Sequence, residues 1–231
     1  MKEKEFPITL YYKVLFMNTE SQSETLREIN DIKRIMERSS RFISLSGLSG
    51  IAAGLCALAG AFFGNQALKN YYLKYDVTGY RVEDFISLKF KLLMISGIVL
   101  VTALFFAFIF TWRRAKQNHL PIWDLTARKL MWNVLIPLVT GGIFILTMLQ
   151  YNEWRFAAPA CLIFYGLALV NGSKYTLSEV RYLGFLEIIL GLENMQFIHA
   201  SLYFWSIGFG VLHIFYGFLM WWKYERKTER L

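Results

Sequence analysis

The chain has 231 residues, of which 55% are hydrophobic and 17% aromatic, so it is far more apolar than a soluble domain of its size. Its length accommodates one compact bundle and leaves little chain for a second folded domain. The net charge of +8 does not indicate nucleic-acid binding, because most Lys and Arg residues lie beside apolar segments, where such residues set membrane orientation.

Apolar stretches recur along the chain at lengths suited to membrane crossing. A helix rises about 1.5 Å per residue, so about 20 residues cross the ~30 Å hydrocarbon layer. Six stretches are predicted to span the membrane: 42–64, 92–112, 130–149, 154–171, 182–192 and 197–222. The fifth is the weakest, because it is short and carries Glu187. The predicted fold is all-α: a polytopic membrane protein with a six-transmembrane-helix bundle over residues 42–222.

The distribution of basic residues predicts the orientation of this bundle. With six crossings, 19 Lys and Arg residues lie on one side of the membrane and 6 on the other. Cytoplasmic loops carry such an excess, so both termini are predicted to be cytoplasmic. Five crossings would place the basic tail at 223–231 outside, which the same rule disfavours. The chain is predicted to be an integral membrane protein, located in the cytoplasmic (inner) membrane if it is bacterial.

Residues 1–41 are predicted to form a cytoplasmic N-terminal segment with an amphipathic helix at about 21–41. Ser21 and Glu24 have the spacing of a capping box, and apolar residues follow at helical intervals. We expect this helix to lie on the inner leaflet, although a short coiled coil with a second copy is the alternative. Met17 opens a polar run typical of a protein start, so residues 1–16 are either an upstream extension or a loosely attached strand.

Small residues line one side of the first predicted span. Ser46, Gly50 and Gly54 stand four residues apart, as do Gly60 and Gly64. This spacing lets another helix approach closely, which matters in lipid because no hydrophobic effect draws helices together there. The pattern predicts a tight packing face. Its partner is either a helix of this chain, a second copy of the chain, or another membrane protein.

The segments between the first and fourth spans carry fewer signals. Residues 65–91 are predicted to be the longest outer loop, with tyrosines that anchor it at the membrane interface. In the third span, Pro137 and the pair Gly141 and Gly142 predict a bend or a close contact. Asn171 and Gly172 predict a turn after the fourth span.

Among the ionisable side chains within predicted spans, Glu187 and His213 stand out, because each is flanked by apolar residues. Such groups are costly in lipid and therefore default to functional candidates. At the standard helical rise, Glu187 lies about 8 Å and His213 about 13 Å from the cytoplasmic edge. Ser49 lies about 10 Å from the same edge. The sequence therefore predicts a polar layer in the inner half of the bundle. Glu187 and His213 either satisfy each other as a structural hydrogen bond, or lie on a permeation path and load and unload a proton.

Residues Gly47-Leu48-Ser49-Gly50 resemble the Gly-x-Ser-Gly motif of rhomboid intramembrane proteases, and His213 with Gly217 is similar to the histidine helix of that family. The resemblance implies that Ser49 attacks a peptide carbonyl while His213 takes its proton. Two features differ from the family. The serine lies on the first span near the inner face, and no histidine is followed four residues later by asparagine.

No cofactor or metal site is predicted. Cys56 and Cys161 lie in apolar runs without a CxxC partner, which is typical of small buried hydrophobes. The metal and nucleotide motifs HExxH, EF-hand, GxxxxGK[ST] and GxGxxG do not occur. His199 and His213 share one helix about 21 Å apart, so one haem cannot use both.

These observations favour a non-enzymatic membrane protein, either a small carrier or a regulatory or scaffold subunit, that uses the polar layer of Glu187 and His213. An intramembrane serine hydrolase that uses Ser49 and His213 is the alternative. The predicted partners are the lipid bilayer and, through the first span, a second copy or another membrane protein.

Overall fold

The computed structural model describes residues 46–118, 121 and 123–226. Regular structure in these residues is helical, without strands, so the all-α prediction is confirmed for them. The predicted amphipathic helix at 21–41, the question of residues 1–16, the first residues of the first span and the end of the basic tail lie outside the described residues.

Seven α-helices follow one another along the described chain. They are α1 Gly47–Thr78, α2 Val82–Gln117, α3 Leu125–Gln150, α4 Ala157–Gly172, α5 Ser178–Gln196, α6 Ser201–Trp205 and α7 His213–Tyr224. A π-helical turn, Ser206–Leu212, joins α6 to α7. Short 3₁₀ segments at Trp154–Phe156, Ser173–Tyr175 and Ile198–Ala200 precede α4, follow it and precede α6.

Five helical segments are long and apolar enough to cross a membrane: Gly47–Thr78, Val82–Gln117, Leu125–Gln150, Trp154–Tyr175 and Ile198–Tyr224. We call the fifth of these the last span. The segments overlap five of the six predicted spans, and the first two are longer than predicted. The stretch predicted at 182–192 also forms a helix, α5, but it is not one of the five. The reason is its charge, since α5 carries Glu179, Arg181, Glu187 and Glu193.

The prediction of a long outer loop at 65–91 is wrong. The first helix continues to Thr78, and α2 begins at Val82, so that a turn of only three residues separates them. Residues 65–78 contain neither glycine nor proline, and hence nothing ends the helix before Gly79. Gly79 has φ 71°, a conformation that favours glycine, and its N–H bonds to the Tyr75 carbonyl.

The predicted tight face of the first span packs against the last span of the same chain. A β-carbon on Gly54 would lie 2.6 Å from the Gly210 carbonyl oxygen, and one on Gly50 would lie 3.2 Å from the His213 carbonyl oxygen. On the other side of this contact, a β-carbon on Gly217 would lie 2.6 Å from the Gly47 carbonyl oxygen. Backbone therefore meets backbone along the contact, and a side chain at these positions would force the helices apart.

A second contact of the same kind joins α4 to α5, and it has no counterpart in the sequence predictions. A β-carbon on Gly166 would lie 2.6 Å from the Gly184 carbonyl oxygen, and one on Gly184 would lie 2.8 Å from the Gly166 carbonyl oxygen. Farther along α5, a β-carbon on Gly191 would meet the backbone of Ile163 and Pro159 at 3.0 Å. The face of α5 that carries Glu187 is thereby held against α4.

Pro137 lies inside α3, which continues through it. Proline has no N–H to donate to the carbonyl four residues earlier, which belongs to Asn133. That carbonyl accepts a hydrogen bond of 2.9 Å from Nδ2 of Asn171 on α4. The predicted close contact at Gly141 is confirmed, since a β-carbon there would lie 2.4 Å from Cβ of Phe164.

Ionic contacts join the helix ends on one side of the bundle. Glu225, just after α7, accepts hydrogen bonds from the N–H of Gly47 at 2.6 Å and from Nη1 of Arg114 at 2.7 Å. Its carboxylate thus satisfies a free N–H at the start of α1 and neutralises a cation at the end of α2. In the same way Glu179, in the first turn of α5, pairs with Lys223 and accepts from the hydroxyl of Tyr224.

We predict that these contacts decide whether a glycine-to-alanine substitution raises or lowers the stability of the protein. Alanine is the better helix former by about 1 kcal/mol, so Gly142→Ala should leave the thermal stability unchanged or raise it, because nothing lies within 4 Å of a β-carbon there. Gly54→Ala should lower the stability by about 1–3 kcal/mol, because the added carbon meets backbone. Thermal unfolding in detergent measures both. Equal effects at the two positions would contradict the packing of α1 on the last span.

Candidate functional site

The structure brings Glu187 and His213 together. Glu187 lies on α5 and His213 is the first residue of α7, and Nδ1 of the histidine is 3.5 Å from Oε1 of the glutamate. Glu187 is 0% exposed and His213 7% exposed. The two groups therefore form one buried cluster between α5 and the last span, within ion-pair distance but without a hydrogen bond between them.

A π-helical turn places His213. Such turns are rare and frequently occur at functional sites. The turn Ser206–Leu212 contains Gly208 and Gly210, both buried, and both pack where a side chain would not fit. At its end the backbone N–H of His213 bonds to the Gly210 carbonyl, and the ring Nδ1 lies 3.0 Å from the Gly208 carbonyl oxygen.

The two ring nitrogens of His213 have different partners. A carbonyl oxygen only accepts, so Nδ1 carries the hydrogen and donates it to Gly208. In the neutral ring Nε2 is then an acceptor, and it receives the hydroxyl hydrogen of Tyr165 at 2.7 Å. His213 is thus fully satisfied without Glu187. This geometry differs from the structural alternative considered for the sequence, in which Glu187 and His213 satisfy each other.

Glu187 is left with two open acceptor atoms. Neither Oε1 nor Oε2 has a hydrogen-bond partner among the described residues. Trp154 Nε1 and Asn194 Nδ2 share this state, but neither is ionisable. Burying a carboxylate costs several kcal/mol unless it is paired or hydrogen-bonded, so this oxygen pair is the least satisfied polar group of the described bundle.

Gly208 makes room for the carboxyl group. A β-carbon on Gly208 would lie 2.5 Å from Oε2 of Glu187 and 2.5 Å from Cδ2 of Leu162. The same residue offers its carbonyl to His213. Gly208 therefore sits where the glutamate, the histidine and α4 meet, and any larger residue would displace at least one of them.

Tyr165, on α4, completes the cluster, and sequence reasoning missed it. Besides its hydrogen bond to His213, its ring lies 5.1 Å from that of Phe209 and 5.3 Å from the imidazole. A tyrosine in an apolar stretch gives no signal by itself, because Tyr is common near membrane interfaces. Only the packing of α4 on the last span shows that its hydroxyl meets Nε2.

Ser49 does not join this cluster. It is buried in the first turn of α1, where its hydroxyl donates to the Ser46 carbonyl. Both ring nitrogens of His213 are engaged elsewhere, so no hydrogen bond links the serine to the histidine. The hydrolase reading requires that bond, because the histidine must take the serine proton.

The other candidate residues of the first span have packing contacts. Ser46 lies at the start of α1 and its hydroxyl is 3.3 Å from the Glu225 carboxylate. A β-carbon on Gly60 would meet Val99 of α2 at 2.3 Å, whereas one on Gly64 would have ordinary contacts with Leu202 and Leu92. Since the last span fills the face at Gly50 and Gly54, a partner helix at that face would have to displace it.

No group of three or more His, Cys, Asp and Glu side chains suited to a metal ion occurs in the described part of the chain. Cys56 and Cys161 are free thiols. Comparison with protein-family models, with curated proteins and with solved structures gives no match for this chain, so the function has to be argued from the geometry.

We predict that Gly208→Ala disturbs the cluster. The added carbon meets the enclosed Glu187 carboxyl and Leu162, so the variant should lose about 1–3 kcal/mol of stability to overpacking. Gly97→Ala, on α2 with nothing within 4 Å of the new carbon, is the matched control and should lose none. Thermal unfolding of both variants in detergent is the measurement, and wild-type stability in Gly208→Ala would show that the Gly208 contact is wrong.

Proposed function

We propose that the chain is a small non-enzymatic membrane carrier whose ligand-loading group is Glu187. The observation that carries this proposal is the state of its carboxyl group: wholly buried, 3.5 Å from a histidine nitrogen, and without a hydrogen bond to either oxygen. Ionisable groups within membrane spans are costly, and they are functional candidates by default.

A purely structural role for Glu187 is less well supported. A structural carboxyl would use His213 as a hydrogen-bond donor, whereas the histidine donates to Gly208 and accepts from Tyr165. The carboxyl remains open although a donor lies beside it. An acceptor kept open in this way is suited to take up and release a ligand.

The proposal includes a sixth crossing by α5. Its first turn pairs with the end of α7 through Glu179 and Lys223, and near its other end Asn194 accepts a 2.9 Å hydrogen bond from Ser201 at the start of α6. The helix therefore runs alongside the last span from end to end. Its 19 residues amount to about 29 Å, the thickness of the hydrocarbon layer.

With six crossings, both ends of the described chain lie on the same side of the membrane. The helix ends joined by Glu225 and Glu179 belong to the side with the excess of Lys and Arg, which is the cytoplasmic side by the positive-inside rule. We therefore propose an integral membrane protein with α1 entering from the cytoplasm and α7 returning to it.

The carrier proposal predicts that Glu187→Gln changes transport while the protein stays folded. Proteoliposomes on a solid-supported membrane are given pulses of amino acids, organic acids, sugars and monovalent cations, and the transient currents are recorded. At least one solute should give a current in the wild type that Glu187→Gln loses. Glu193→Gln, the same substitution at an exposed position of α5, is the control and should behave as wild type.

Two results would contradict this proposal. The first is the absence of any current in the wild type across the solutes. The second is a Glu187→Gln protein that transports normally and differs only in its melting temperature, since this is the behaviour of a structural group.

The topology predicts opposite labelling of two engineered cysteines. In a background with Cys56 and Cys161 replaced by serine, a cysteine at Val77, 85% exposed beside the first turn, should react with an impermeant maleimide from outside intact cells. A cysteine at Lys227 should react only after the membrane is opened. If α5 does not cross, both cysteines lie on the same side and both react from outside.

A further inference from the structure

We propose that the ligand loaded onto Glu187 is a proton, and that it reaches the carboxylate through Tyr165 and His213. This inference rests on the proposed carrier function. Protonation of Glu187 can nevertheless be measured without knowing which solute is transported. It assigns a role to Tyr165, which no sequence pattern indicated.

The space around the carboxyl favours a proton over a metal cation. Next to Gly208 there is no room for even a methyl group, because a β-carbon would lie 2.5 Å from Oε2 and from Leu162. A hard cation needs about six oxygen ligands. Two other oxygens of the cluster, the Gly208 carbonyl and the Tyr165 hydroxyl, are already hydrogen-bonded to His213. A proton needs neither space nor further ligands, and it neutralises the carboxylate.

The imidazole of His213 bridges the two ends of the relay. Its Nε2 is 2.7 Å from the Tyr165 hydroxyl, and its Nδ1 is 3.5 Å from Oε1 of Glu187. In the described part of the chain, the titratable side chains that contact the ring from neighbouring helices are Tyr165 on α4 and Glu187 on α5. A neutral imidazole accepts a proton at one nitrogen and gives one up at the other, as in other histidine shuttles.

The steps balance in protons and charge. A proton arrives at the Tyr165 oxygen, and the hydroxyl proton of Tyr165 moves to Nε2. The Nδ1–H group exchanges its hydrogen bond to the Gly208 carbonyl for one to Oε1 of Glu187, and its proton moves to that oxygen. The net change is one proton added and a carboxylate converted to a neutral acid, without any change in bonds between heavy atoms. Unloading runs along the same path in reverse, so the imidazole returns to its starting tautomer.

The three members of the relay differ in burial. Tyr165 is half-buried, His213 is 7% exposed and Glu187 is 0% exposed. The carboxylate is therefore the closed end of the relay, and the tyrosine is the member that the rest of the protein covers least. Proton exchange with Glu187 should consequently depend on the hydroxyl of Tyr165.

Time-resolved infrared spectroscopy of the full chain in liposomes tests the relay. After a pH jump, the C=O band of a protonated carboxylic acid should appear in the wild type, shift in heavy water and be absent in Glu187→Gln. Tyr165→Phe, which keeps the ring and removes the hydroxyl, should slow the appearance of this band by about tenfold or more, since positioned proton transfer contributes at least that factor. Tyr203→Phe, at a 74% exposed position of α6, should not slow it.

The possible outcomes distinguish failure of the proton relay from failure of the proposed carrier function. A band that rises equally fast in wild type and Tyr165→Phe overturns the relay, and a band unaffected by Glu187→Gln overturns the proton site. A band that responds to sodium at constant pH, but not to a pH jump, assigns the site to a cation instead. If the band behaves as expected but no solute gives a current, the proton site stands and the carrier function fails.

Discussion

Glycine-lined contacts between helix backbones hold the described bundle together, and the polar cluster depends on them. Because Gly166 and Gly184 let α4 and α5 approach closely, the face of α5 that carries Glu187 is turned inward and sealed. Gly50, Gly54 and Gly217 do the same for α1 and the last span, which carries His213. In lipid such close packing supplies attraction that the hydrophobic effect does not. The positions of the glutamate and the histidine thus follow from residues that lack side chains.

The side chains of the cluster differ in how completely their hydrogen-bonding groups are paired. His213 has a donor and an acceptor contact, Tyr165 is hydrogen-bonded to it, and Glu187 has neither a donor nor water-accessible surface. A fully satisfied network would rigidify the interior, whereas a partly satisfied one leaves a group whose energy changes strongly with its charge. Protonation of a carboxylate in this state removes a buried charge that no hydrogen bond compensates. This property favours a loading group over a packing element.

Much of the fold could be predicted from the sequence, because span length and apolarity follow directly from the bilayer thickness. This reasoning predicts the five helices that are long and apolar enough to cross a membrane, and the four-residue spacing of small residues predicts the packing face of α1. The helical extension to Thr78 is not predicted, because the apolar stretch ends at Gly64, although no residue before Gly79 ends a helix. The contact of Gly166 with Gly184 joins two helices, and no spacing within one helix reveals it. The π-helical turn and the hydroxyl of Tyr165 likewise depend on tertiary packing.

The pairing of the first span with the last has a consequence for biogenesis. The N–H of Gly47 finds its acceptor on Glu225, and Gly50 and Gly54 of α1 meet the backbone of the last span, more than 150 residues later in the chain. During synthesis, α1 enters the membrane long before the last span has been made. Until then, the glycine-lined face of α1 contacts lipid or the insertion machinery. The bundle therefore closes only after the last span has been synthesised. In chains that end before it, the glycine-lined face of α1 has no helix to pack against.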